Sequence, residues 1–202
     1  SLLLNNVLLA SAAGTVFIGT FYPLFIDLIG NDKISVGPPY YAATFVPIML
    51  PLLLVLPAGP MLRWKRDELW SALTPLRAAA ALVAVLVSAA IAFTFARHLM
   101  TALGIGLGAW VVAGSITAVA NRTRLGRVPF AQTLTLARHA PRSFYGMALA
   151  HMGLGFVVLA ITTVSTWQQE NILRMSVGDT ATVGSYRVVL REVKNAAGPN
   201  YD

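Results

Sequence analysis

The chain has 202 residues, of which 56% are hydrophobic and only 11% are charged, whereas soluble domains carry about a quarter charged residues. This composition predicts an integral membrane protein and argues against a soluble domain. The absence of cysteine excludes disulfide bonds, thiolate metal sites and a cysteine nucleophile. A formal net charge of +7 would suit a nucleic-acid partner, but in a membrane protein the placement of the basic residues matters more than their sum.

Five segments contain the roughly 20 mostly apolar residues that a membrane-spanning helix needs. They cover residues 7–28, 41–62, 78–95, 103–120 and 144–167. A sixth apolar segment, residues 128–137, is too short to span and predicts an interfacial helix or an ordered loop. We therefore expect an all-α polytopic membrane protein with about five transmembrane helices, whose transmembrane region covers residues 1–167.

The second predicted span contains four prolines, at positions 47, 51, 57 and 60. Proline removes a backbone donor and bends a helix, which membrane helices tolerate when neighbouring groups satisfy the freed carbonyls. We favour a bent helix used for packing. The alternative is a bend that shapes a cavity for a large ligand.

The fourth span contains the stretch GIGLGA at residues 104–109, which is similar in spelling to the opening of a dinucleotide-binding loop. That motif requires a preceding strand and a following soluble helix. Inside a membrane span, closely spaced glycines instead favour tight packing against a neighbouring helix.

The basic residues predict the orientation of the chain in the membrane. Nine of them fall in the segments 63–77 and 121–143, and two fall in the connections on the other side of the membrane. Cytoplasmic loops carry an excess of lysine and arginine. We therefore place these two segments in the cytoplasm and the C-terminal tail on the opposite side, which is the periplasm of a bacterium. Topology and lipid headgroups explain the basic loops, so no nucleic-acid partner is predicted.

The tail, residues 168–202, is polar and rich in turn and strand residues. Residues 171–177 and 185–193 are predicted strands, with Gly178, Asp179 and Gly184 supplying turns between them. Because two strands alone are marginally stable, we expect an incomplete periplasmic β-rich segment that belongs to a larger domain. We also expect the whole chain to be a piece of a longer protein.

The stretch GMALAHMGLG, residues 146–155, lies inside the fifth span, and its only ionisable side chain is His151. Ionisable residues inside a membrane are functional candidates by default. On a helix, Ala148 and Gly155 share one stripe with His151, and small residues allow close approach of a helix or a flat ligand. The residues leave open a neutral histidine in a packing seam, an axial ligand to haem or another metal, and a proton relay.

The surroundings of His151 weigh against two of these interpretations. No carboxylate lies at mid-membrane depth, which disfavours a proton relay. A zinc site needs three or four ligands, and His98 and His139 are predicted on opposite sides of the membrane and at its surfaces. Haem needs only one or two axial ligands and an apolar slot. A packing hydrogen bond and a single axial ligand therefore both remain.

Several stretches together resemble one family, although each alone is weak. In chain order they are LLLNN (2–6), GTFYPLF (19–25), KISVGPPYY (33–41), PLLLVLPAGPMLRW (51–64), GMALAHMG (146–153) and GPNY (198–201). They resemble the cytochrome c maturation protein CcmF, the haem-lyase subunit of a bacterial cytochrome c assembly system. The resemblance covers roughly the last third of that family.

This resemblance implies a function that the spacing of residues does not. The family attaches haem to CxxCH segments of apocytochrome c at the periplasmic face of the inner membrane. It works with a periplasmic haem chaperone and other maturation subunits in the membrane. It also holds a haem b between two membrane histidines. One of these corresponds to His151, with Ala148 and Gly155 then expected to face the haem, and the other lies upstream of Ser1.

The resemblance also implies that no catalytic residue lies in this segment, so the chain by itself is not expected to be catalytic. Two other classes stay open from the sequence. One is a membrane transporter or channel fragment, including one that moves haem. The other is a haem-free scaffold whose helices organise partner proteins.

Overall fold

The computed structural model of the protein describes residues 2–30, 34–61, 74–93, 99–168 and 170–194. The predicted ends of the second and third spans, at Leu62 and Phe95, lie outside these residues, as do His98 and the GPNY stretch. The chain divides into two compact units, residues 1–162 and 163–202.

Helices make up most of the first unit, and a hairpin lies in the second. In chain order the elements are α1 (Leu2–Ile29), α2 (Pro38–Val55), a 3-10 helix (Leu56–Met61), a second 3-10 helix (Thr74–Leu76), α3 (Arg77–Phe93), α4 (Leu99–Arg122), α5 (Phe130–His139), α6 (Arg142–Trp167), β1 (Thr180–Val183) and β2 (Tyr186–Val189).

Four of the described helical segments are long and apolar enough to cross a membrane. They are Leu3–Ile29, Pro38–Met61, Leu99–Arg122 and Arg142–Trp167, with mean hydropathies of 1.6, 2.0, 1.8 and 2.0. The segment Thr74–Ala89, which contains most of the third predicted span, is a shorter apolar helix. Many large apolar side chains on these helices are exposed, Leu28 at 83% among them. A polytopic helical membrane fold is therefore confirmed.

Helix α4 is the centre of the first unit. In an apolar 18-residue stretch of α4, 39% of the residues are buried, compared with 11% in the corresponding stretches of α1 and α6. It packs on α3, on α2 and on the 3-10 helix that follows α2. Its glycines make these approaches close, since a Cβ added to Gly106 would lie 2.5 Å from the Val87 Cγ2 of α3. The predicted packing role of the glycine-rich stretch is thus confirmed.

The C-terminal end of α2 tightens into a 3-10 helix where Pro57 and Pro60 cannot donate backbone hydrogen bonds. The Trp110 Nε1 of α4 donates to the Leu54 carbonyl oxygen over 2.9 Å at this transition. Three residues later, Pro57 packs directly on Gly114. Helix α4 therefore compensates part of the hydrogen bonding that the prolines remove.

Helices α1 and α2 are joined near the start of α2. The Tyr40 hydroxyl donates to the Thr15 carbonyl oxygen over 3.1 Å. Gly19 makes room for this contact, because a Cβ there would lie 2.6 Å from the Tyr40 Cε1. The Pro38–Pro39 pair occupies the first turn of α2, where a missing backbone donor costs little.

The short apolar segment predicted over 128–137 forms α5. Pro129 precedes this helix, and Pro141 follows it and leads directly into α6. The Tyr145 hydroxyl of α6 donates to the Ala137 carbonyl oxygen of α5 over 2.8 Å. This bond ties the start of α6 to the end of α5.

The second unit contains a two-stranded antiparallel hairpin in which Thr180 pairs with Val189 and Val183 with Tyr186. The prediction of a strand over 171–177 is wrong, because the described backbone is irregular there. Gly184, with φ 60, begins a two-residue turn, and such turns pair the residues directly on either side. Thr180–Val183 therefore pairs with β2, which is a shortened form of the strand predicted over 185–193.

Candidate functional site

Helix α6 places His151 inside the membrane-spanning part of the chain. The helix begins at Arg142, so His151 lies about 13 Å along its axis at 1.5 Å per residue. The residue is half-buried. Among the described residues its imidazole has no hydrogen-bond partner. The packing hydrogen bond considered for this histidine is therefore absent from the described part of the chain.

The stripe of α6 that contains Ala148 and Gly155 is buried. A Cβ added to Gly155 would lie 2.9 Å from the Gly108 carbonyl oxygen and 3.1 Å from the Val112 backbone nitrogen. These are backbone atoms of α4, so glycine at 155 allows the two helix backbones to approach closely. We call this contact between α4 and α6, centred on Gly108 and Gly155, the glycine seam.

The glycine seam bears on the roles expected for Ala148 and Gly155. The contacts of Gly155 are those of a helix-packing position, since α4 occupies the space in front of it. Ala148 lines an apolar groove one helical turn before His151. A haem-facing role for these two residues stays a prediction. Their observed contacts fix the rotation of α6 about its axis and hence the direction of His151.

The opposite side of α6 also contains small residues, Gly146, Ala150 and Gly153 among them, and all three are exposed. A Cβ added to Gly146 or to Gly153 would meet nothing within 4 Å. We call this side the outer face of α6. Within the described residues it has no packing partner at these glycines.

The apolar groove between α4 and α6 has a volume of about 260 Å³. It is lined by Ser115, Ile116, Val119, Ala120, Thr123, Leu125, Ala148 and Met152. Its two hydroxyl groups are already bonded, since Ser115 donates to the Val111 carbonyl over 2.8 Å and Thr123 to the Val119 carbonyl over 3.0 Å. His151 is not part of the lining. No local pattern in the sequence indicates this groove, because it depends on how two helices that are distant in the chain pack together.

The other histidines do not complete a metal site with His151 in the described residues. His139 is exposed at the end of α5, where its Nδ1 lies 2.7 Å from the Thr135 carbonyl oxygen. Across the described ranges there is no cluster of three or more residues of the histidine, cysteine, aspartate or glutamate types that a metal ion needs. His151 is therefore a single candidate ligand.

The fold and the site define a polytopic helical membrane protein with one half-buried intramembrane histidine and a β segment at its C-terminal end. Comparison with known proteins narrows this class. Residues 166–202 match a family described as the CcmF C-terminal beta-sandwich. The match contains the β1–β2 hairpin.

Characterised relatives match the whole chain. It is 43% identical over 201 residues to the cytochrome c-type biogenesis protein CycK of Bradyrhizobium diazoefficiens, covering 100% of this chain and 30% of that protein. It is 38% identical over 204 residues to CcmF of Pseudomonas aeruginosa, covering 99% and 30%. It is 32% identical over 202 residues to CcmF of Escherichia coli, covering 99% and 29%.

These matches confirm the resemblance to the CcmF family of cytochrome c-type biogenesis proteins. The chain spans about 30% of the length of the relatives it matches. No solved structure matches the chain.

Proposed function

We propose that this chain is part of a haem lyase that attaches haem to apocytochrome c in the inner membrane of a bacterium. The observation that carries the proposal is the similarity of the whole chain to cytochrome c-type biogenesis proteins. The apolar helices support a membrane location. The basic residues on one set of loops support a cytoplasmic position for those loops and a periplasmic position for the tail.

Within this function, His151 would be one axial ligand of a membrane haem b. The half-buried imidazole fits that role, because a ring nitrogen that has no hydrogen-bond partner among the described residues is available to bind iron. Haem, when bound, supplies one-electron transfer. The second axial ligand would come from outside this chain, in keeping with the family resemblance.

Ala148 and Gly155 would act on this ligand through position. The backbone contact of Gly155 with α4 holds the helix that bears His151. A small rotation of α6 about its axis would move the imidazole sideways, because the His151 side chain projects outward from that axis. We propose the glycine seam as a positioning element of the haem site, and a direct contact of Ala148 or Gly155 with haem stays possible within that arrangement.

The expected partners follow from the same reaction. They are haem, apocytochrome c with a CxxCH segment, a periplasmic haem chaperone and the other membrane subunits of cytochrome c maturation. The matched β-sandwich region, residues 166–202, would offer a periplasmic surface to one of these partner proteins. Membrane lipid surrounds the helices, and the proposal includes no nucleic acid.

The test uses the full-length protein, purified in detergent, with its visible spectrum and its haem content per protein measured. We expect His151→Ala to lose most of the b-type haem while the protein keeps its elution volume. His139→Ala is the matched control and should keep the full haem content, because His139 lies at the end of α5. Added imidazole should restore a b-type spectrum to His151→Ala, since it replaces a lost ligand but not a lost packing contact.

Full haem content in a folded His151→Ala protein would overturn the ligand assignment. Loss of haem in His151→Ala that imidazole does not restore, together with full haem content in His151→Gln, would indicate a structural role for the side chain. The wider function is measured separately, as the yield of c-type cytochrome in cells that depend on the variant. A normal yield from cells lacking the protein would contradict the proposed function.

A further inference from the structure

We propose that the groove between α4 and α6 holds an acyl chain of an anionic phospholipid, whose phosphate is bound by Arg122, Arg124 and Arg127. The proposal is independent of the haem chemistry, because His151 does not line the groove. Ala148 belongs both to the groove lining and to the α6 stripe beside His151, and the proposed function assigns no ligand to the groove itself.

The lining of the groove favours a hydrocarbon chain. Its side chains are mostly apolar, and both hydroxyl groups that line it donate to carbonyl oxygens of their own helix. Both hydroxyl protons are therefore already used, and the rest of the lining offers a polar ligand little to bind. Ile116, at the edge of the groove, is 56% exposed, so the groove opens onto the apolar surface that faces lipid.

The end of the groove is built by the C-terminus of α4. The Leu125 backbone nitrogen donates to the Ala120 carbonyl over 2.9 Å, and the Arg124 nitrogen donates to the Asn121 carbonyl over 3.2 Å. Arg124 has φ 53. These two bonds around a left-handed residue form a Schellman motif, which folds the following apolar side chain back on the helix. Leu125 lines the groove at this turn.

The same turn contains three arginines, next in the chain to Leu125 at this end of the groove. The Arg122 guanidinium lies 5.8 Å from the ring centroid of Phe144, so it reaches from α4 to α6 across that end. Arg127 follows in the same loop, where its backbone nitrogen donates to the Arg124 carbonyl over 3.0 Å. All three arginines are exposed. A guanidinium stacked on an aromatic ring keeps its N–H edge available for a phosphate.

Charge decides the kind of lipid. None of the three arginines forms an ion pair with a carboxylate among the described residues, where the single ion pair joins Lys194 and Glu192 in the other unit. An apolar groove that ends in three uncompensated positive charges complements a chain that ends in an anionic headgroup. Basic residues at the end of a membrane helix attract anionic lipids in this way. A zwitterionic lipid could place its acyl chain in the groove, but its headgroup has no net negative charge to balance the three arginines.

The experiment measures lipid retention by native mass spectrometry on the full-length protein. The protein is incubated in separate samples with phosphatidylglycerol and with phosphatidylethanolamine of identical acyl chains. We expect selective retention of phosphatidylglycerol. The triple variant R122Q/R124Q/R127Q should weaken its binding by roughly fivefold for each arginine, or on the order of a hundredfold together.

The matched control removes the same charge from the second unit, as R174Q/R187Q/R191Q, and should retain phosphatidylglycerol as the wild type does. A second pair of variants tests the groove without a change of charge. Ile116→Trp should lower retention by blocking the groove, and Ile161→Trp, on the exposed part of α6, should not.

Three results of the retention measurements would overturn the proposal. They are equal retention of the two lipids by the wild type, equal retention of phosphatidylglycerol by the two triple variants, and displacement of bound lipid by an equal concentration of inorganic phosphate. Cross-linking of the groove residues to a protein segment instead of lipid would also overturn it. Haem content should be the same in all these variants, so this test and the test of His151 fail or succeed separately.

Discussion

The two sides of α6 use the same residue type for different purposes. On the glycine seam, a Cβ at Gly155 would lie 2.9 Å from the Gly108 carbonyl oxygen, and one at Gly108 would lie 2.7 Å from the Leu159 Cγ. On the outer face, a Cβ at Gly146 or Gly153 would meet nothing within 4 Å. Gly155 of α6 and Gly108 of α4 are required by the contact between these two helices. The second pair is not required by any contact among the described residues.

The difference shows what small residues in a membrane helix mean. They permit close approach, but the approach takes place only where a second helix presents a matching surface. The glycine seam has that surface in Gly108 and Val112 of α4. The position of His151 between Ala148 and Gly155 therefore ties the candidate ligand to the packed side of the helix.

The largest expected effect comes from placing leucine in the glycine seam. Gly155→Leu should lower the free energy of unfolding by about 1–3 kcal/mol, because the side chain would meet backbone atoms of α4 that cannot rotate away. Gly153→Leu, two residues earlier on the outer face, should leave it unchanged or slightly higher, since leucine is the better helix former. Thermal unfolding of the full-length protein in detergent measures both.

The same pair of variants tests the positioning role of the glycine seam. Gly155→Leu should also shift or broaden the haem absorption bands in protein that is still folded, whereas Gly153→Leu should not. An equal loss of stability in the two variants would show that the two sides of α6 do not differ. An unchanged spectrum in a folded Gly155→Leu protein would contradict the positioning role alone.

A glycine-to-alanine substitution should change the free energy of unfolding in opposite directions in the glycine seam and on the outer face of α6. Gly108→Ala should cost roughly 1 kcal/mol, because the added Cβ would lie 2.9 Å from the Gly155 carbonyl oxygen. Gly146→Ala should gain up to about 1 kcal/mol, the usual preference for alanine over glycine in a helix. Denaturant titration of both variants decides the point. A gain in stability in both would mean that the seam has room for a methyl group.

The smallest expected effect concerns the opposite side of α4. Trp110→Phe removes the donor to the Leu54 carbonyl and should cost about 0.6 kcal/mol, the average for a hydrogen bond between membrane helices. Trp167→Phe is the control, because Trp167 is 56% exposed at the end of α6. Equal melting temperatures for the two variants would show that this bond contributes nothing measurable.

Much of the helical fold follows from the sequence because apolar length is a local property. The spans predicted over 103–120 and 144–167 fall within α4 and α6. The short helix α5 lies between Pro129 and Pro141, which mark its limits in the sequence. The hairpin follows from the sequence less completely than the helices do. Gly184 indicates its turn, but the pattern predicts the partner strand over 171–177, because periodicity alone does not specify which residues pair.

Some features of the candidate site also follow from the local sequence, and others follow only from the packing of the helices. Residue type and helical spacing alone show that His151 lies inside the last predicted span and that small residues flank it. The packing of the helices adds that Gly155 contacts α4, that Gly153 does not among the described residues, and that a groove opens between α4 and α6. These features depend on the relative rotation and distance of helices separated in sequence, which no local pattern encodes.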